Sequence, residues 1–556
     1  MTYRKLGFAA PACAVAALLL SVLSVVPAEG ATYYVTRFDD AAVADAAPNS
    51  GSLRWCLDRA NTNPGFDTIK FRRMASIMIV PETPYRITDS VAIYDNRSIL
   101  IAPDGPGFPG GFVGDSIFEI GDGVAAVQVT LSGLHLLGHS HPQGPRAVEV
   151  RSGASLDFRH GRAEQFDVDR VGTVYGASGS TVHLTNATFA DNSMREGGAV
   201  YVTGGSLDVV ASTFHRNHSG RHGGAVYVAP GTHATISDSH FADNRADQRG
   251  GAVHHWGSSL DVAGGEYAGN RAVISGGALN LEVGTGRSAT LRDLVLQGNE
   301  ALTHGGAIAR FGGGSLTVEG TSVWANVSGD GGGIYLAGGA NELRGLDLQE
   351  NLAKFDGGGL WFGGGGVRLR VEDSAFVRNL HALGGFGVGG GLYAGIGDVS
   401  VVNSTFSANG HTTGSLVNGG GLAFDQRVRA DLIHLTVTEG DAAQGGGAWS
   451  HPLSTLSIRN SAFGESVGGG DCTLFGSVTH SGSLDEDGSC RFTSHGGVAL
   501  DLEPLGDYGG PTWTRPPMAH SKLVDNADPS FCPSEDQRGE PRPQGSACDV
   551  GAVEAH

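Results

Sequence analysis

Phe214-His215-Arg216-Asn217-His218-Ser219-Gly220-Arg221-His222-Gly223-Gly224-Ala225-Val226-Tyr227-Val228 is one copy of a pattern that governs the middle of this 556-residue chain. A Gly-Gly-(Ala or Gly)-apolar unit begins at Gly197, Gly223, Gly250, Gly276, Gly305, Gly331, Gly357, Gly389, Gly419 and Gly445. The successive spacings are 26, 27, 26, 29, 26, 26, 32, 30 and 26 residues. An Asn stands five or six residues before each of the first seven pairs, from Asn192 to Asn351. Asn379 and Asn409 stand ten before theirs, and the tenth unit has Glu439-Gly440 instead. Three residues before each Asn comes a large apolar side chain, as at Phe189, Phe214, Phe241, Tyr267, Leu296, Phe376 and Phe406.

After each Gly pair the chain alternates, as in Ala199-Val200-Tyr201-Val202, and after a Gly turn it alternates again, as in Ser206-Leu207-Asp208-Val209. Alternation over about four residues means a short strand with one buried face. Three such strands and three turns fill the repeat. Each unit is then one rung of a solenoid whose backbone pairs with the rungs above and below. Crossovers between parallel strands are right-handed, so the fold class expected is all-β, a right-handed parallel β-helix. A propeller blade needs roughly 40 residues, which the repeat does not reach. The Asn column is expected to stack its amides along the axis and to take the left-handed conformation of a tight corner. The Gly column supplies positive φ or close approach of rungs, and the Phe column fills the interior.

Composition agrees with this reading. The 90 Gly and 21 Pro make up one residue in five, which argues against a helical bundle. Gly does not fall at every third residue, so the chain is not collagen. A hydrophobic share of 40 % in short alternating runs provides a core that a disordered chain lacks. The formal charge of -20 repels phosphate backbones, and no nucleic-acid partner is expected.

The N-terminus has Arg4 and Lys5, an apolar run from Ala14 to Val26, and Ala28-Glu29-Gly30. That is the form of a secretory signal peptide over 1–30, and the protein is expected to be secreted, extracellular or at a cell surface. No transmembrane segment is expected in the mature chain, because no later stretch has 18 consecutive apolar residues. Export places the cysteines in an oxidising compartment. Cys472, Cys490, Cys532 and Cys548 allow three pairings, of which joining sequence neighbours is the most parsimonious. Each such loop would contribute about 3 kcal/mol through chain entropy. Cys56 is left over, as a buried inert thiol or as a free one able to link chains.

Phe214-His215-Arg216-Asn217 with Gly223-Gly224-Ala225-Val226 is similar to the repeat of chlamydial polymorphic outer-membrane proteins, a resemblance that implies an adhesin-like surface role. Gly51-Ser52-Leu53-Arg54-Trp55-Cys56-Leu57, followed by Ala60-Asn61 and Asp67-Thr68-Ile69, resembles the CSLREA domain that opens many exported bacterial β-helix proteins. Gly509-Gly510-Pro511-Thr512, Asp536-Gln537-Arg538-Gly539, Arg542-Pro543 and Cys548-Asp549-Val550-Gly551-Ala552-Val553-Glu554 resemble the choice-of-anchor Q domain. The organisation implied is a signal peptide at 1–30, an N-terminal cap at 31–90, the β-helix at 91–470 and a disulfide-bearing C-terminal domain at 471–556, which is expected to cap the open last rung.

Three sets of residues bear on chemistry. If Val200 and Val202 point inward, Tyr201 points outward, and its column continues through Tyr227, His254, Asn280, Ala309, Tyr335, Trp361, Tyr393, Ala423 and Trp449. Tyr and Trp offer apolar faces with polar tips that suit sugar rings, although stacked aromatics also simply favour packing between rungs. The residues just before the Gly pairs include Asp330 and Asp356 on adjacent rungs, the separation at which two carboxylates couple and one pKa rises. Such a pair suits a retaining glycosidase, and Asp in exposed turns is equally ordinary. His215, His218 and His222 lie within eight residues on a turn with no helical face to align them and no Cys beside them, so no metal is expected there. No Asn-Thr-Asp or Arg-Ile-Lys run appears, no nucleotide loop either, and no cofactor is implied.

These residues lead to a secreted or cell-surface β-helix binding protein, adhesin-like, engaging a polysaccharide or another cell-surface or matrix component. The alternative is a carbohydrate-active enzyme, a polysaccharide lyase or glycoside hydrolase, since β-helices host such enzymes by fold-level analogy. A structural matrix component without a discrete ligand is the third reading. Long loops flanking one sheet would favour the enzyme, and the lengthened rungs lie near His381 to Val388 and His411 to Asn418.

Overall fold

Each repeat closes into one rung of a parallel β-solenoid of about 14 turns, at about 27 residues per turn. The computed structural model describes residues 30–72, 77–95, 99–103, 112–382, 387–412, 418–492 and 497–555. The signal peptide expected over 1–30 lies outside the described residues apart from Gly30.

One rung shows the plan. The strand Val200–Val202 leads through a Gly turn into Ser206–Val210, which bends at Ala211 into Thr213–His215, and the short strand His218–Ser219 follows before the next Gly pair. Stacking these segments yields three parallel sheets of 30, 15 and 10 strands among the described residues. The first runs from Thr32–Val35 to Leu484–Asp485 and carries two strands per rung on either side of the bend. The 15-stranded sheet runs from Tyr85–Ile87 to Cys472–Leu474 and carries the residues that follow the Gly pairs. The inward positions form one apolar core along the axis, in which Phe158, Phe189, Phe214, Phe241 and Tyr267 are buried and neighbouring rings lie 4.6 to 5.9 Å apart.

The corners explain the repeat's consensus. The first Gly of each pair sits at φ between 60° and 74°, a region that costs other residues. The second packs against the rung above: a Cβ on Gly277 would stand 2.0 Å from the Gly306 carbonyl oxygen. The two glycines thus divide the positive φ and the close approach between them. The Asn column bonds as its side chains suggest. Asn299 Nδ2 donates to Asn326 Oδ1 and to the Tyr267 carbonyl, while its own Oδ1 accepts from the Asn270 backbone and side chain, all at 2.9–3.0 Å. The left-handed role expected of Asn belongs instead to the residue before it, as at Asp191, Arg216, Asp243, Ala325 and Glu350. An Asn turned that way would swing its amide out of the ladder.

Both ends are covered. The helix Leu53–Ala60, N-capped by the Ser52 side chain, lays Leu53, Cys56, Leu57 and Ala60 against the first strands. At the far end Phe492 packs on Phe463 and His480, and Cys490 bonds to Cys472. Cys532 bonds to Cys548, so both disulfides join sequence neighbours. Leu500 and Leu502 pack with Leu484 of the last strand, and the segment continues beyond them. It runs back along the side, in the bend of the first sheet, where Thr512 donates to the Asp373 carbonyl, Asn403 to the Glu535 carbonyl and Thr405 to Gln537. His434 meets the Gly551 and Phe531 carbonyls, and Asn460 exchanges hydrogen bonds with Asp528. Where the segment docks, the bend column holds Asp373, Asn403, His434 and Asn460, and each offers the segment a hydrogen-bonding group.

Candidate functional site

The residues after the Gly pairs face away from the core in strict register. Tyr201 pairs with Tyr227, then His254, Asn280, Ala309, Tyr335, Trp361, Tyr393, Ala423 and Trp449. Tyr175 extends the column one rung earlier and stacks on Tyr201 at 5.9 Å, a member the sequence reading had no Gly pair to find. Ring spacing is 4.8 Å for Tyr201 with Tyr227 and 4.2 Å for Tyr335 with Trp361.

Outward does not mean open. The residues before the Gly pairs form a parallel column beside the rings, and its histidines fold over them. His222 stacks on His254 at 4.8 Å and His304 on Tyr335 at 4.3 Å. Tyr227, Tyr335 and Tyr393 retain only 5 to 8 % exposure, while Tyr201, Trp361 and Trp449 are half-buried. Asn280, Ala309 and Ala423 interrupt the ring stacking, which leaves Tyr335, Trp361 and Tyr393 as a separate group.

The carboxylates lie against that group. Asp330 Oδ1 accepts the Asp356 backbone N–H at 3.2 Å, and Asp356 Oδ1 accepts that of Val388 at 2.9 Å, so each acid caps the next rung. His304 Nδ1 lies 3.6 Å from Asp330 Oδ2. Burial pushes the Asp356 carboxyl up to about 6; the Val388 hydrogen bond opposes this, and the negative charges of Asp330 and Asp425 add to it. Asp425 was not legible in the repeat. It follows the strand Leu422–Phe424 one rung beyond Tyr393, and the Tyr393 hydroxyl donates to its Oδ2 at 3.0 Å. Burial, then Asp330, lifts the Tyr335 phenol to about 12. Burial, then Asp425 and Asp356, lifts that of Tyr393 further. Phe355, next to Asp356, is 56 % exposed. Asp330 and Asp356 therefore lie on the rungs of that ring group and Asp425 on the next rung, and Trp361 is the half-buried member of the group. Of the lengthened loops, residues 383–386 and 413–417 lie outside the described residues.

The three histidines do not converge. His215 faces Asp243 at 3.8 Å from the first sheet, His218 faces Asp247 at 3.3 Å from the 10-stranded sheet, and His222 stacks over the aromatic column. Cys56 is fully buried, and burial pushes its thiol up to about 12, which settles it as the inert alternative. A concavity of about 590 Å³ on the first sheet is lined by Arg368, Asp398, Arg427 and Arg429. No ring borders it, so it offers charge without a stacking surface.

No family model matches the sequence, and no curated protein does. Among solved structures the chain is similar to pectate lyase Pel9A, at 13 % identity and a TM-score of 0.29 over 95 % of this chain and 96 % of that one. It is similar also to the A-module of the mannuronan C-5 epimerase AlgE6 of Azotobacter vinelandii, at 11 % identity and a TM-score of 0.18 over 82 % and 99 %. These scores are too low to transfer a substrate or a reaction to this chain.

Proposed function

We propose that this is an exported, adhesin-like β-solenoid binding protein that engages a polysaccharide at a cell or matrix surface through the Tyr335–Trp361–Tyr393 group. The observation that carries this reading is the placement of the half-buried Trp361, stacked between the nearly covered rings of Tyr335 and Tyr393, beside the carboxylates of Asp330, Asp356 and Asp425. A pyranose presents an apolar C–H face and a rim of hydroxyls. Rings accept the face, and carboxylates accept hydrogen bonds from the rim. Two disulfides support an oxidising compartment, and no helix among the described residues is long and apolar enough to cross a membrane.

One observation favours the enzyme as a second reading. Asp356, whose carboxyl burial raises to about 6, lies one rung from the Asp330 carboxylate, as a general acid held beside a second carboxyl group would. Size-exclusion profiles of plant, microbial and host polysaccharides incubated with residues 31–556 separate the two. Co-elution without shortening is expected for a binding protein. Shortening of one polysaccharide that is abolished by Asp356→Asn would make it an enzyme, and no change with any of them would sink both readings.

A further inference from the structure

At the end of the solenoid the chain runs Asp485-Glu486-Asp487-Gly488-Ser489-Cys490, and Asp471 precedes Cys472. The Cys472–Cys490 disulfide joins these segments, so carboxylates from two parts of the chain are held together covalently. One oxygen from each of Asp471, Asp485 and Asp487 lies within 4.8 Å of the other two. Asp471 and Asp485 are buried, at 1 % and 0 % exposure, while Asp487 is open to solvent.

Backbone N–H groups meet part of this charge. Asp471 Oδ2 accepts from Glu486 and Asp487 at 3.1 and 3.0 Å, Asp487 accepts from Asp471 and Ser489 at 3.0 and 2.9 Å, and Asp485 Oδ2 accepts from Cys490 at 2.9 Å. The Gly488 backbone also favours the Asp485 carboxylate, yet its buried Oδ1 has no donor in hydrogen-bond geometry. The charges acting on Asp485 are those of Asp471 and Asp487, and no Lys, Arg or His among the described residues forms an ion pair with any of the three. A buried carboxylate oxygen with no partner, set among two like charges, costs the fold several kcal/mol unless a proton or a cation neutralises it, and a cation can serve all three carboxylates at once.

We propose that Asp471, Asp485 and Asp487 bind a divalent cation of the calcium class, which clamps the disulfide-bearing segment onto the last rung. The donor set is oxygen alone, since both nearby cysteines are in a disulfide, and this excludes the soft-metal chemistry of thiolate sites. Calcium tolerates the irregular geometry of three carboxylates from two segments, whereas magnesium demands a near-octahedral shell and keeps its waters. Asp487, at the surface, leaves a side open for water ligands. The short spacing of Asp485 and Asp487 is visible in sequence, but Asp471 stands 14 residues earlier and joins them only through the fold.

The test uses the mature protein, stripped with a chelator and titrated with calcium chloride. Equilibrium dialysis reads uptake and thermal melting reads stability. One saturable calcium per chain is expected, with a melting midpoint that rises as the site fills. Asp487→Asn, at an exposed position that folding tolerates, is expected to weaken uptake at least tenfold, and Asp485→Asn to abolish it. Asp398→Asn, remote on the first sheet, should leave uptake intact. Absence of saturable uptake by the wild type at about 1 mM calcium, the weak end of extracellular sites, overturns the proposal. So does uptake that Asp487→Asn leaves unchanged.

Discussion

Gly277 and Gly298 show why two glycines in one rung are not equivalent. A Cβ at Gly277 would meet the Gly306 carbonyl oxygen at 2.0 Å, so two rungs must part to admit it. A Cβ at Gly298 meets nothing within 4 Å, and Ala325 holds the same left-handed corner one rung on. Gly277→Ala is therefore expected to destabilise by about 3 kcal/mol or more, and Gly298→Ala by about 1 kcal/mol. Urea melts of the two variants would check this, and equal costs would refute the close-approach role. Asn299→Ala strands the Tyr267 carbonyl and the Asn270 N–H in the core, at about 1–3 kcal/mol for each orphan. Because each rung touches only its neighbours, faster amide exchange is expected near Asn270 and Asn326 and not at the ends. The periodicity made the Gly, Asn and Phe columns legible, since identical residues at equal spacing must stack. Which residue of each corner turns left-handed was not legible, because Asp, Arg, Ala and Glu all serve at the position before the Asn.

Within the 15-stranded sheet, the alternation around Tyr201 fixed which residues face outward, and the register followed for ten rungs. The roof over those rings was hidden, because His222 and His304 lie nearest to rings one rung above, at 4.8 and 4.3 Å, and farther from Tyr227 and Phe311 on their own rungs, at 6.1 and 6.2 Å. Asp425 escaped notice for a similar reason: it sits just past its strand and outside the repeat's signature. The Asp356 carboxyl titrates near 6 in the fold against 3.8 ordinarily. Between those values the folded chain keeps a proton that the unfolded chain has lost, so this group's contribution is fully present below pH 4 and fades as the pH rises through 6. Asp356→Asn is expected to melt above the wild type at pH 7 to 8 and level with it at pH 4. A constant difference across that range would mean the carboxyl is not so displaced.

For the whole molecule, the decisive unreadable fact is that the C-terminal segment lies along the last rungs. Its contacts join Asn403 with Glu535 and His434 with Gly551, separations that no local pattern encodes. The Asp536, Arg538, Arg542 and Glu554 of its motif turn out to be one buried ion network. Burial, then Arg542, pushes His434 down to about 3 from 6.5. The unfolded chain takes up that proton first as pH falls, so stability is present above 6.5 and lost toward 3. At about 1.4 kcal/mol per pH unit below 6.5, the wild type should lose about 2 kcal/mol more than His434→Gln between pH 7 and pH 5. Denaturant melts at the two pH values would read that difference, and an identical loss in both proteins would place His434 outside the dock. The function assigned to the molecule rests on the Tyr335, Trp361 and Tyr393 rings, and its most direct test is the dissociation constant of Trp361→Ala for whichever polysaccharide the wild type retains. Removal of the half-buried indole is expected to weaken binding at least tenfold while leaving the melting midpoint within a few degrees, since stacking of a flat ligand on an aromatic ring is worth about 1–3 kcal/mol for a nucleobase and a pyranose face meets the indole in the same way. Undiminished affinity in Trp361→Ala would contradict the site.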